Sequence, residues 1–141
     1  MNSSFTDSDL STLQIRRAEP QDDHTVGELL VTAFVKGYAR KLPEVVVTES
    51  RKQQLRAVAQ KRAVATVLVA QVGGQVVGTV AIFPPDAEGT EAFVPGAADL
   101  RHLAVTPDCK GTGIAAKLLD EAERIAHIEW RECASADEAI E

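Results

Sequence analysis

The chain has 141 residues, 45% of them hydrophobic, and a formal net charge of −6. That length fits one domain with a real core, and the acidic balance weighs against a nucleic-acid binder, which shows a basic stripe. No apolar run reaches the roughly 18 residues that a membrane-spanning helix needs, so no membrane partner is expected. The N-terminus, M-N-S-S-F-T-D-S-D, has no charged-then-apolar signal pattern. Cys109 and Cys133 have neither metal-ligand spacing nor the density of a disulfide scaffold. Both read as reduced thiols of a cytoplasmic protein, and no metal site is expected. Cys109 lies beside a glycine loop, where a lowered pKa competes with the plainer reading of a small loop filler.

Residues 1–12 are rich in Ser, Asp and Thr and read as a disordered tail. Leu13 to Arg17 alternates as a first strand with Leu13 and Ile15 inward. Pro20 suits the first turn of a helix, and Asp22 and Asp23 favour its positive end. Val26, Leu29, Leu30, Ala33 and Phe34 make the apolar stripe of that helix, with an end expected near Gly37. Thr48 is positioned to cap a second helix reaching about Arg62, with Leu55, Val58 and Ala59 on its inner face. Thr66 to Val72 is β-branched and apolar, which suits a strand covered on both faces. Gly73-Gly74 is a two-residue hairpin turn into a partner strand, Gln75 to Phe83. Gly78 weakens that strand unless a neighbour must come close. Pro84-Pro85 stops it, and a loop of charged and small residues runs to about residue 97.

The most informative stretch is 98–127. Leu100 to Val105 reads as a buried strand, and Pro107 closes it because it cannot donate to a ladder. Asp108 to Gly111 is turn chemistry. From Thr112 the period becomes helical, with Ile114, Leu118, Ala122, Ile125 and Ala126 on one face. A helix start carries backbone N–H groups without partners, at the positive end of the helix dipole. Gly111 and Gly113 would let an anion approach the main chain, and Lys110 adds a cation, so a phosphate or pyrophosphate fits there. The competing reading is that the glycines only shape a tight turn. Gly111-x-Gly113-x-x-Ala116 also fits the dinucleotide fingerprint, but residues 106–110 separate it from the strand and too little chain follows for such a fold.

Val105 to Ala115, V-T-P-D-C-K-G-T-G-I-A, resembles motif A of the GNAT superfamily of acyl-CoA N-acyltransferases, Q/R-x-x-G-x-G/A. Lys110 takes the Q/R place, Gly113 the middle glycine and Ala115 the last small residue. Lys110 keeps the charge but loses the planar fork of donors. The preceding L-R-H-L-A-V and the G-G-Q-V-V-G-T-V hairpin are similar to the same family. The resemblance covers residues 13–127. It implies an α/β (α+β) fold, a mixed and mostly antiparallel sheet flanked by helices in the order β-α-α-β-β-β-α. Residues 128–141 stand where the family continues with further strands and a helix, so the chain reads as C-terminally shortened.

The resemblance also implies N-acetyl transfer from acetyl-CoA, as co-substrate, to a small-molecule or peptide amine. Main-chain groups of Leu103, Ala104 and Val105 would meet the pantetheine arm, and an N–H of that strand would polarise the thioester carbonyl. Lys110, Gly111, Thr112, Gly113, Ile114 and Ala115 would hold the pyrophosphate, with Lys117 suggested for the 3′-phosphate. Asp99 is the candidate general base; its alternative is a solvated carboxylate at a strand start. His102 comes next, with a structural histidine as the alternative. Arg101 reads as the partner of a neighbouring carboxylate, with an acidic group of the substrate as the alternative, and His24 and His127 as solvent-facing. Tyr38, the sole tyrosine, lies in the wrong segment to protonate the departing thiolate. The competing functional readings are a shortened relative that has lost turnover and an interaction module whose sheet edge is completed by a second chain, for instance in a homodimer.

Overall fold

The computed structural model of the chain describes residues 6–42, 44–85 and 98–130. A helical turn, α1 (Asp7–Leu10), precedes β1 (Gln14–Arg17). A single 3-10 turn at Pro20–Asp22 then leads into α2 (Asp23–Lys41), α3 (Glu49–Arg56) and α4 (Val58–Val64). The hairpin of β2 (Thr66–Val72) and β3 (Gln75–Phe83), the strand β4 (Asp99–Val105) and α5 (Ile114–Trp130) complete it. The strands form one antiparallel sheet in the order β1-β2-β3-β4. The expected loop before β4 falls on residues 86–97 and lies outside the described residues, as do Cys133 and residues 131–141 as a whole.

The sheet is a middle layer. Leu68, Ala70 and Val72 of β2 and Val80 and Ile82 of β3 pack under α5. Val67 and Val69 of β2 and Ala81 and Phe83 of β3 pack under α2, α3 and α4. A strand apolar on both faces is what a covered sheet requires, and β2 has that composition. The α5 stripe is buried as its period demands, from Ile114 at 1% exposure to Ala126 at 0%. Gly73 and Gly74 turn the hairpin with positive φ, 56° and 83°, as the favoured two-residue turn needs.

Four expectations are corrected. Residues 7–10 are not tail: Leu10 packs on the core, and the Thr12 hydroxyl accepts from the Gly73 N–H at 2.8 Å. The second helix breaks at Ala57, whose N–H donates to Gln54. Gly27 of α2 lies so near the Arg56 backbone that a Cβ there would stand 3.1 Å from the Arg56 Cα. The break shifts the phase, so Val58 and Lys61 face inward and Ala59 is exposed. Helix α2 runs past Gly37, since one glycine among good helix formers costs only about 1 kcal/mol. At the other end, residues 128–130 continue α5 instead of opening a separate segment.

Asp22 ties β1 to α2. It accepts from Arg16 at 2.8 and 3.1 Å and from the Glu19 N–H at 2.7 Å. The Arg16 hydrogen bonds hold its carboxyl below the usual range, against the opposing effect of burial. A depressed folded pKa stabilises the fold above the unfolded value near 4, and the gain is lost as pH falls through the folded value. Asp22→Asn should therefore destabilise the protein by about 1.5–3 kcal/mol at pH 7. Urea unfolding at neutral and acid pH checks this: the gap to wild type should narrow below about pH 4.

Candidate functional site

The main chain leaves β4 with Thr106 still in the ladder, its N–H donating to Val77 at 2.8 Å. Pro107–Cys109 forms one 3-10 turn, in which the Cys109 and Lys110 N–H groups donate to Thr106 and Pro107. The Thr112 N–H and hydroxyl both turn inward to the Cys109 carbonyl. Thr112 therefore has no amide to offer an anion, contrary to the expectation. Helix bonding begins with Lys117 N–H on Gly113. Among the described residues the N–H groups of Gly111, Gly113, Ile114, Ala115 and Ala116 meet no acceptor. Gly111 and Gly113 have φ of 79° and 86°, and a Cβ on either would meet nothing within 4 Å. The glycines shape the turn and also leave open space above its amides. Cys109 is 2% exposed, and burial pushes its thiol up, so it is the loop filler rather than a reactive group.

A groove of about 400 Å³ opens beside this loop, between α2 and the end of β4. Leu29, Ala33, Val76 and Val105 give it an apolar floor, and Lys36, Arg40 and Lys110 stand on its walls. Of the site residues expected from sequence, Val105 and Lys110 line it. Glu28 also lines it but is engaged by Arg56 at 2.7 Å. His24 is exposed, as expected, and also lines the groove. Lys117 is exposed on α5 and lies outside the lining. Lys36 and Arg40 escaped the sequence reading. Their signal is a polar stripe, Thr25, Glu28, Thr32, Lys36 and Arg40, running beside the apolar one along α2.

Strand β4 carries a bulge. Thr79 pairs with Ala104 and Ala81 with Arg101, so Val80 faces both His102 and Leu103. His102 takes the left-handed conformation, φ 59°, the sole non-glycine residue to do so among those described. Cross-strand partners share a face. Asp99 opposite Phe83 and Arg101 opposite Ala81 therefore point toward the α2 side. The bulge adds His102 to that side, edge-on to Phe34 and Phe83 with ring centroids 6.1 and 6.4 Å away. Burial first, then Lys61, Arg101 and Arg51, lowers the His102 pKa to about 3. A neutral imidazole that holds protons so weakly is a poor general base, so the structural alternative prevails. Asp99 is 4% exposed rather than solvated, and its Oδ2 lies 4.0 Å from Arg101 Nε, the pairing expected of Arg101. Leu103 and Val105 lean toward the α5 side, while Ala104 is buried under α2. β4 ends the strand order, so among the described residues no strand pairs with its outer edge.

Residues 63–140 match the sequence profile of the acetyltransferase (GNAT) domain. The chain belongs to the GNAT family. Its fold agrees with a GNAT family acetyltransferase from Brucella melitensis, solved in complex with acetyl-CoA, at a TM-score of 0.63 and 27% identity over 86% of this chain and 73% of that one. The PaiA N-acetyltransferase of Thermoplasma acidophilum, solved with coenzyme A, gives 0.65 and 19% over 83% and 73%. The ribosomal-protein-alanine N-acetyltransferase of Brucella melitensis biovar Abortus 2308 gives 0.58 and 23% over 86% and 77%. The last two likenesses are of fold alone. No curated protein matches the chain significantly. With the chain placed in the GNAT family, the dinucleotide reading of the β4–α5 glycines falls away. Among the described residues no three His, Cys, Asp or Glu side chains are grouped to hold a metal, and no helix is long and apolar enough to cross a membrane.

Proposed function

We propose that this chain transfers an acetyl group from acetyl-CoA to a primary amine. The observation that carries the reading is the set of open amides at Gly111 and Gly113 to Ala116, which follow directly in the chain on Lys110, a residue that lines the groove together with Lys36 and Arg40. Convergent N–H groups at a helix start suit a diphosphate, and the flanking cations suit further phosphate charge. Lys36 and Arg40 take the 3′-phosphate role in this reading, in place of Lys117. The apolar floor suits the slender pantetheine arm, and the outer edge of β4 offers main-chain groups at Leu103 and Val105 to its amides, while those of Ala104 face β3.

Bound acetyl-CoA supplies the activated thioester. The chain supplies position, which makes a bimolecular encounter effectively unimolecular, and a backbone N–H of β4 beside the bulge to polarise the carbonyl. Asp99 is the carboxylate assigned to the amine's proton, reached through water. His102 holds the bulge between two aromatic rings and leaves the proton to others.

Calorimetry with acetyl-CoA tests the first half. Saturable binding is expected, and ligand at a hundredfold over Kd should stabilise the fold by about 2.7 kcal/mol. No heat at millimolar ligand overturns the reading. Thiol release with a panel of amines tests the second half. The open edge of β4 favours one other reading, in which a second chain, including a second copy of this one, completes the sheet. Sustained turnover by a monodisperse monomer excludes it.

A further inference from the structure

A second cavity, of about 520 Å³, lies against the groove and shares Thr25, Val76 and Thr106 with it. Its size is that of a small-molecule site, but its chemistry differs. Where Lys36, Arg40 and Lys110 wall the groove, the charged residues here are Arg16, Asp22 and Asp108. All three are engaged within the protein. Arg16 donates to the two Asp22 oxygens at 2.8 and 3.1 Å and to the Gln71 oxygen at 2.9 Å. Asp22 also accepts from the Glu19 N–H at 2.7 Å, and Asp108 has a partner of its own. A phosphate would meet two carboxylates and no spare cation, and an ammonium would have to displace bonds already made.

The hydrogen-bonding capacity left over is neutral. Gln71 keeps its amide donors, since only its oxygen is taken. Gln21 donates to Glu19 at 2.8 Å and keeps its oxygen. The Gln75 carboxamide and the Thr25 hydroxyl bond to nothing among the described residues. A carboxamide sets a donor and an acceptor side by side in one plane, the pattern with which glutamine holds adenine through two bonds. Val76 and Val77 add apolar surface for a ring.

We propose that this cavity binds an adenine ring, with the Gln75 carboxamide against the 6-amino group and an adjoining ring nitrogen. One source is the coenzyme itself, and that assignment rests on the acetyl-transfer reading. Asp108 lines the cavity and Lys110, two residues on, lines the groove. A nucleotide held by its diphosphate at the amides after Lys110 carries its base only one ribose further. The other source is a separate adenosine, which the same chemistry would accept.

Calorimetry with two coenzymes tests the first source. Acetyl-CoA is compared with its etheno derivative, in which an added ring ties the 6-amino nitrogen to the neighbouring ring nitrogen and removes the donor. The etheno form should bind about tenfold more weakly, the discrimination expected of one bidentate base contact. Gln75→Ala should weaken acetyl-CoA by a similar factor, leave the etheno form unchanged and so erase the difference. Gln75 is exposed, and such substitutions hardly move stability, so the urea midpoint should match wild type. Adenosine, added with and without acetyl-CoA, tests the second source. Saturable binding of adenosine beside bound acetyl-CoA, weakened about tenfold by Gln75→Ala, assigns the cavity to a separate nucleoside. Equal affinity for the two coenzymes together with no adenosine binding overturns the proposal and leaves acetyl transfer standing. So does a Gln75→Ala variant that binds every ligand as wild type does, or that loses both coenzymes equally. Absence of acetyl-CoA binding removes the reading beneath the first source, and adenosine then decides the proposal alone.

Discussion

Replacing Gly113 by valine should weaken acetyl-CoA binding about a hundredfold in a protein that still folds, a loss near 3 kcal/mol. Gly113 is exposed, and a Cβ there would meet nothing within 4 Å, so the surrounding protein does not reject a side chain by contact. What it rejects is conformation. At φ 86° an L-residue is strained by roughly 1–2 kcal/mol, and a β-branched one by more. Relieving that strain turns the peptide planes on either side of Gly113, and those planes carry open amides. A hydrogen bond to a charged group contributes about 1.5–3 kcal/mol, so misdirecting one or two accounts for the loss. The new side chain would also stand in the open space above the loop. Gly73→Val is the control. It imposes the same kind of strain at φ 56°, also with nothing within 4 Å, but in the β2–β3 hairpin. Both variants should lose similar stability in urea, and only Gly113→Val should lose coenzyme affinity in calorimetry. Wild-type affinity in Gly113→Val would leave the glycines as turn formers and nothing more.

The parts of this fold that are legible in sequence are those fixed by local periodicity. Ile114, Leu118, Ala122, Ile125 and Ala126 are buried where a 3.6-residue repeat puts them. Thr48 caps α3 by accepting from the Arg51 N–H at 3.0 Å, as its place before the helix implies. Thr66 to Val72 and Gln75 to Phe83 form strands over the bounds their composition suggests. The parts that are not legible depend on contacts between distant segments. The break at Ala57 goes with the close approach of Gly27 to Arg56, and nothing local to residues 49–64 announces it. Without the break, Ala59 reads as inward.

The candidate site divides along the same line. The anion loop is visible as residues because glycines at a helix start have a local physical meaning. The bulge is invisible because a two-against-one pairing is a property of β3 and β4 together. Only that pairing brings His102 onto the same face as Asp99 and Arg101. The Thr112 amide was expected at the anion site for want of the one fact that Cys109 accepts from it. Lys36 and Arg40 are helix-surface cations until the fold lays α2 along the end of β4 and makes them a wall.

Leu118→Ala should cost about 3–5 kcal/mol, the usual range for a fully buried leucine whose surroundings cannot collapse. Leu118 is 0% exposed and lies over Gly78 of β3. A Cβ on Gly78 would stand 2.9 Å from Leu118 Cδ1, 3.1 Å from Val105 Cγ1 and 3.3 Å from the Ala104 carbonyl oxygen. The glycine in the middle of β3 therefore has a packing reason: it lets α5 sit down on the sheet and so fixes where the first turn of α5 holds its amides. Gly78→Ala alone should cost about 1–3 kcal/mol by overpacking. Combined with Leu118→Ala, its closest clash disappears and the added methyl fills part of the cavity. The double variant should then be more stable than the sum of the single effects predicts, by about 1–2 kcal/mol. The rescue is partial because Val105 and the Ala104 carbonyl remain in place. Urea midpoints with unchanged slopes measure the cycle. Strict additivity would mean that Leu118 does not rest on Gly78, and that the seat of α5 under motif A is set elsewhere.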